Sequence, residues 1–332
     1  MAKTGLTERE IIGIFKRRFD SGPKLPLGFD DDVVAFPMSQ GRLVVLKTDM
    51  LVGSTDVPPG MTLRQAARKS VVSTVSDFAA KGVQPRGLLV SLGLPPPVRL
   101  SSVREIALGL KRGASEYGCR ILGGDTSETH DFVIDCIGFG FGGTGGILRR
   151  DGARLGDVVA VTGEFGKTSA GLRILFGNKK PWPRRFSKLV HSVLHPVARL
   201  QTGLKLARSG LVSSSIDSSD GLAWSLHEIA RLSDVNIVLE EIPVAQEVKV
   251  FAKENGLVSE ELALFGGEEY ELVLTIKKDR FVSLRRKIPS LRRIGNVESG
   301  PGDVIARFGG KPRKVEPRGY EHFTKTMASF SP

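Results

Sequence analysis

The chain has 332 residues, 40% of them hydrophobic, and its 48 Lys and Arg outnumber 36 Asp and Glu for a formal charge of +12. That length and balance suit about two folded domains rather than a disordered chain. Two cysteines without a CxxC pair exclude a disulfide framework and a Cys-rich zinc site and fit a reducing cytoplasm. No apolar run approaches the ~18 residues of a membrane helix, and the N-terminus has no signal-peptide pattern.

In chain order, runs rich in Val, Ile, Leu and Phe predict strands over 32–36, 43–51, 87–92 and 132–141. Thr62-Leu-Arg-Gln65 is a capping box, and Leu63, Ala66, Ala67, Ser70, Val71, Thr74, Val75 and Phe78 follow helical spacing to a stop at Lys81-Gly82. Ser102-Val-Arg-Glu105 repeats the capping signal for a second helix ending at Gly118. The turn-rich Gly142-Gly-Thr-Gly-Gly146 places a domain boundary near residue 150, giving domains 1–150 and 151–332. Beyond it the pattern predicts a strand over 157–162 and helices over 168–176, 187–194, 196–208 and 220–232. Strands over 236–240, 270–276, 292–297 and 304–308 follow, with a helix over 279–287 between them. Residues 177–185 read as an exposed basic loop. Both halves mix helix and strand, so the fold class is α/β (α+β).

The aspartates carry the chemistry. Asp30, Asp31 and Asp32 open a strand, Asp49 ends the run LVVLKT, Asp125 lies in a Gly-Gly-Asp-Thr loop, and Asp217 and Asp220 bracket Ser-Ser before a helix. Each alone fits turn or N-cap chemistry as well as function. Asp77 differs: it falls inside the apolar stripe of its helix near the C-terminal end, where the dipole disfavours a negative charge. A hydroxyl or, better, a cation would satisfy it. Oxygen ligands without His or Cys point to Mg²⁺ rather than zinc. His191 and His195 lack the Glu of HExxH and read as structural. The segment Val161–Thr168 resembles a phosphate loop, but Val161 stands where that loop needs its first Gly, so it reads as a strand-to-helix turn.

Taken together, GFDDDVVAF (28–36), KTDMLV (47–52), VSDFAAKGVQP (75–85), GGDTSET (123–129), GILRRDGARLGDVVAVTGEFG (146–166), DSSDGL (217–222), FGGEEYEL (265–272), IGNV (294–297) and KVEPRGYEHF (314–323) resemble the thiamine-monophosphate kinases. These belong to the superfamily of aminoimidazole-ribonucleotide synthetase and selenophosphate synthetase. The resemblance implies a two-domain fold whose N-terminal mixed sheet dimerises through its strands. It also implies an N-terminal ATP- and Mg²⁺-binding domain and a C-terminal α+β domain that contributes to the substrate site. The implied reaction is Mg²⁺-assisted, in-line transfer of the ATP γ-phosphate to thiamine monophosphate, the last step of thiamine diphosphate synthesis. Carried over by position, the metal ligands are Asp32, Thr48, Asp49, Asp77, Asp125, Asp217 and Asp220. Gly124, Asp125, Arg150 and Ser219 contact ATP, and Asp56, Glu268 and Tyr320 contact the thiamine substrate. Asp125, Asp217, Asp220 and Arg150 carry the catalysis. The chain departs from the pattern at Asp30, Lys47 and Asp56, where Gly, Ser and His are common.

Two alternatives stand beside this reading. One is another ATP-using superfamily enzyme, ligase-like or selenophosphate-forming, against which the GYEHF terminus speaks. The other is a basic nucleic-acid-binding protein, for which no helix-turn-helix, zinc-finger or RNP signature is present.

Overall fold

The computed structural model describes residues 5–19, 25–177, 182 and 184–323. The N-terminal part holds α1 (Glu8–Phe19), β1 (Val34–Pro37), β2 (Arg42–Val52), α2 (Gly53–Asp56), α3 (Leu63–Lys81), β3 (Pro85–Leu94), α4 (Leu100–Glu116), β4 (Arg120–Glu128) and β5 (Val133–Gly143). Its five strands form one sheet in the order β1-β2-β5-β3-β4. β3 and β4 run parallel and the other neighbours antiparallel, so the sheet is mixed.

The C-terminal part holds β6 (Val158–Val161), α5 (Lys167–Phe176), α6 (Ser187–Leu194), α7 (Leu200–Ser209), β7 (Val212–Asp217), α8 (Leu222–Ser233), β8 (Asn236–Leu239), α9 (Gln246–Glu254), α10 (Ser259–Phe265), β9 (Leu272–Ile276), α11 (Phe281–Lys287), β10 (Arg292–Glu298), β11 (Val304–Ala306) and β12 (Arg313–Lys314). Its seven strands form a second sheet, β12-β11-β8-β10-β6-β9-β7.

α3 sits between the two sheets. Its capping box forms as expected, with Thr62 Oγ1 accepting from the Gln65 amide and Gln65 Oε1 from the Thr62 amide, and Gly82 closes it in a left-handed conformation. The helix is buried almost all round because both halves pack on it. Val71, Val75 and Ala79 share one apolar cluster with Val158, Leu272 and Leu274 of the second sheet. On the other side, Gly138 of β5 admits Phe78: a Cβ there would lie 2.6 Å from the ring. Gly203 of α7 does the same for the Ala79 carbonyl, 2.0 Å from such a Cβ. α3 is therefore fixed to within a methyl group on both faces, which fixes the polar side chains it carries.

Several expectations need correction. The Gly-Gly-Asp-Thr segment is strand β4, not a loop. Gly124 is there because a Cβ would meet the Val90 carbonyl at 1.8 Å, so its role is close strand approach rather than a turn. α4 begins at Leu100 without a side-chain cap. Glu105 instead takes both Nε and Nη2 of Arg64, at 2.9 and 2.7 Å. The strand β7 was hidden by its three serines, two of which have their hydroxyls absorbed inside the sheet: Ser213 and Ser214 both hydrogen-bond the Thr275 hydroxyl. α1, α9 and α10 were also missed. Most of the basic 177–185 segment, residues 178–181 and 183, lies outside the described residues. His191 and His195 stack at 4.5 Å, with His195 Nε2 3.1 Å from Gln65 Nε2, a packing role as expected.

Candidate active site

The sequence places a buried aspartate on α3, and the fold brings two more to it. Oxygens of Asp32, Asp77 and Asp217 all lie within 4.8 Å of one another, and the three residues are 4%, 5% and 3% exposed. Asp32 comes from the loop before β1, Asp77 from the last turns of α3, and Asp217 from the end of β7. Ser76 donates to Asp217 at 2.6 Å. Three carboxylates this close cannot all be charged without cations.

The chain supplies some of that charge itself. Arg150 grips Asp32 Oδ1 through Nε and Nη2, at 2.9 and 2.5 Å. Lys81, fully buried, sits 2.6 Å from Asp32 and 2.5 Å from Asp31, and donates to the Ser215 carbonyl. Lys47 Nζ lies 3.0 Å from Asp77 Oδ2. Against the penalty of burial, Asp77 and Asp49 hold the Lys47 pKa above its ordinary value. Burial raises the Asp77 carboxyl well above the usual range, with Lys47 pulling it back. Burial and Asp32 push Asp217 up to about 6. Burial, Glu8 and Asp217 push Asp220 up to about 7. Burial also raises Asp49, opposed by Lys47. Asp32, by contrast, is lowered: burial raises it, but Arg150 and Lys81 outweigh that. Carboxyls whose charged forms are disfavoured are those that gain most from a bound cation. The donor set of the cluster is all oxygen, which fits a hard divalent ion such as Mg²⁺.

A cavity of about 580 Å³ is tied to this cluster through the loop after β7. Asp56, Glu268 and Tyr320, drawn from three distant segments, all line it, with Lys69, Leu172 and Phe265. Lys69, almost fully buried on α3, pairs with Glu268 and donates to the Asp56 carbonyl at 2.8 Å. The Asp56 carboxylate accepts from the Val52 amide at 2.7 Å, which fixes the short α2. Arg9 and Arg318 add positive charge to the wall, Arg318 lying over the Phe265 ring at 4.2 Å.

The loop after β7 joins cavity and cluster. The Ser219 carbonyl accepts from the Glu268 amide at 2.6 Å, Ser218 from Tyr270 at 3.2 Å, and Asp220 from Tyr320 at 2.8 Å. These bonds hold Glu268 and Tyr270 at positive φ, 61° and 52°, conformations that cost energy for side chains of this size. Ser219 Oγ reaches back to Asp217 at 3.4 Å.

Of the seven expected ligands, Asp49 and Asp220 lie outside the group of three, and Thr48 and Asp125 are on the other face of the sheet. Side chains alternate along β2, so Lys47 and Asp49 face α3 while Thr48 faces outward, where its hydroxyl donates to Asp135 at 2.7 Å. Asp125 is exposed on β4, in register with Ser91 of β3, which is itself in register with Asp135. Thr48, Asp125 and Asp135 thus belong to the outer face of the sheet. Asp135, Lys69 and Lys81 are the residues that sequence reasoning missed, while Lys47 was marked only as a departure from the family pattern. The available signal was a charge inside each apolar run, as with Asp77. At the false phosphate loop, Thr168 donates its amide to Glu269 Oε1 at 3.1 Å. A carboxylate therefore occupies the start of α5 where a phosphate would sit.

Comparison with known proteins agrees with this geometry. The family model "AIR synthase related protein, N-terminal domain" matches residues 29–142. The thiamine-monophosphate kinase of Nitrosopumilus maritimus is 40% identical over 323 residues, 96% of this chain and 99% of the relative. That of Pyrococcus horikoshii is 38% identical over 321 residues, 96% and 97% of the two chains. Among solved structures, AaThiL complexed with AMPPCP and TMP matches with a TM-score of 0.86 at 30% identity, covering 97% of this chain and 99% of that one. With relatives this similar over almost their whole length, the chain belongs to the thiamine-monophosphate kinase family.

Proposed function

We propose that this site transfers the γ-phosphate of ATP to the phosphate of thiamine monophosphate, giving thiamine diphosphate and ADP. An oxygen of the acceptor phosphate forms the new bond to Pγ as the bond from Pγ to the β-bridging oxygen breaks, and the electron pair leaves with ADP. The acceptor is a phosphate monoester with a second pKa of about 6, mostly dianionic at neutral pH, so little base catalysis is needed. The obstacle is the approach of two anions in line, and the remedy is positioning and charge neutralisation.

The observation that carries this reading is the 217–220 loop. One end of it contributes a carboxylate to the cluster, and its carbonyls anchor Glu268 and Tyr320 on the cavity wall. Asp32, Asp77 and Asp217 would hold Mg²⁺, with Asp49 and Asp220 nearby, and the bound ion would neutralise phosphate charge between donor and acceptor. Arg150 would contact ATP phosphates while it keeps Asp32 ionised. Asp56 and Glu268 offer acceptors and negative charge to the cationic thiamine rings, Tyr320 offers an aromatic face, and Lys69, Arg9 and Arg318 suit the phosphate.

Thr48, Gly124 and Asp125 belong to this reading only with a second copy of the chain. The outer face of the N-terminal sheet exposes Phe36, Leu46, Met50, Leu89 and Phe141, by 54%, 41%, 61%, 43% and 51%. An apolar surface of this kind marks an interface, and a homodimer through it would enclose Thr48 and Asp125 beside the nucleotide. On this view residues 1–150 bind nucleotide and metal, and residues 151–332 complete the substrate cavity.

The test is incubation with ATP, Mg²⁺ and either thiamine monophosphate or thiamine, followed by mass spectrometry. Thiamine diphosphate should form from the monophosphate alone. No product, or equal phosphorylation of free thiamine, would overturn the assignment.

A further inference from the structure

We infer that Lys47 is a built-in cation of the carboxylate cluster, taking a place that a divalent ion would otherwise fill and so lowering the number of metal ions the site binds. This rests on the divalent-cation reading above and concerns how much of the positive charge the chain itself supplies.

Four carboxyls, Asp32, Asp49, Asp77 and Asp217, crowd the face of β2 and the end of α3. Asp32 is compensated by Arg150 and Lys81, which also tie it to the 212–217 strand. Asp77 pairs with Lys47, Nζ lying 3.0 Å from Oδ2. The lysine faces Asp77 because β2 alternates: Lys47 and Asp49 share the inner face, and Lys47 is in register with Gly138, against which Phe78 and Thr74 of α3 pack tightly. The ammonium is thus held in place by a strand on one side and a helix on the other. It sits among Asp77, Asp49 and Asp217, the three groups whose charges act on it.

An ammonium at this distance from Asp77 Oδ2 competes with a Mg²⁺ for that oxygen. Mg²⁺ needs its ligand oxygens at about 2.0–2.1 Å and would lie within a few ångströms of Nζ, a repulsion that the lost ion pair does not offset. The lysine supplies one charge permanently where an exchangeable ion would supply two. The remaining ions would be held by Asp32, Asp49, Asp217 and the other oxygen of Asp77.

The experiment counts bound Mn²⁺ by electron paramagnetic resonance, with AMPPCP present, for the wild type and for Lys47→Met, Lys47→Ser and Lys47→Arg. Folding is checked by near-ultraviolet circular dichroism, and turnover of thiamine monophosphate is measured alongside. The Met and Ser variants should each bind one more Mn²⁺ per chain than the wild type, whereas Arg, which keeps the charge, should not. A purely structural lysine would leave the count unchanged. Equal or smaller counts in both uncharged variants overturn the role of Lys47 and leave the kinase reading intact. A wild type that turns over thiamine monophosphate without binding Mn²⁺ overturns the divalent-cation reading and this inference with it. Should one uncharged variant fail to fold, the other decides.

Discussion

The two faces of the N-terminal sheet use the same strand for opposite ends. On the inner face of β2, Lys47 and Asp49 meet α3 and the buried cluster, where Asp77 pairs with Lys47 and Asp32 with Lys81 and Arg150. On the outer face, one residue away, Leu46, Thr48 and Met50 are exposed among apolar neighbours. The inner face is built wholly from residues of one chain. The outer face carries Thr48, Asp125 and Asp135 with nothing from this chain above them among the described residues. Burial explains the contrast: an inner charge must be paired within the fold, while an outer one can wait for water or a partner.

The most severe way to test the inner face is Asp217→Asn. It removes a cluster charge while keeping an acceptor for Ser76, and kcat should fall by about 10²–10³-fold, as for other losses of transition-state electrostatics, with circular dichroism unchanged. Steady-state kinetics at saturating Mg²⁺ decides; turnover within threefold of wild type would remove Asp217 from the chemistry. On the outer face, Asp125→Asn should cost about 10²-fold in turnover if that face joins the nucleotide site. Activity near that of the wild type would make Asp125 an ordinary edge-strand charge and confine the chemistry to the inner face.

Met50→Glu sharpens the same contrast without touching a candidate ligand. Light scattering should show a dimer for the wild type and a monomer for the variant, with activity falling alongside. A monomeric wild type would remove the proposed reason for the exposed apolar residues. The smallest effect concerns stability. The Asp217 carboxyl is raised from 3.8 to about 6 by burial and by Asp32, so the folded state holds a proton that the unfolded state releases in that interval. Its contribution is full below the unfolded value and is lost as pH rises through about 6. Without divalent ions, Asp217→Asn should therefore be more stable than the wild type at pH 8 by about 1–3 kcal/mol, with the gap closing towards pH 4. Denaturant unfolding in chelator measures it, and a variant less stable at pH 8 would mean that the charged aspartate is well compensated by Lys47 and Arg150.

Much of the fold was legible because local signals agreed with tertiary need. The capping box at Thr62 formed, and the helices over 187–194 and 168–176 stand at or within one residue of their expected bounds. The Gly-Gly-Asp-Thr strand and the serine-rich β7 were not legible, because there composition speaks of turns while close pairing with β3 at Val90 and hydrogen bonding to Thr275 decide for strand. In the site, Asp56, Glu268 and Tyr320 were named by motif and do meet in one cavity. What motif could not say is that Lys69 bridges two of them.

The sequence by itself determined the fold class, the family and the list of aspartates, because motif order and hydrophobic period are local properties that need no coordinates. It also marked Asp77 as a charge awaiting a cation. Only the tertiary structure decided which cation: the ammonium of Lys47, thirty residues away in sequence and 3.0 Å away in space. It likewise sent Thr48 and Asp49, adjacent in the chain, to opposite faces of the sheet. The physical reason is the two-residue period of a strand combined with long-range packing: sequence sets the alternation, but the helix that packs on one face decides which residues become the site.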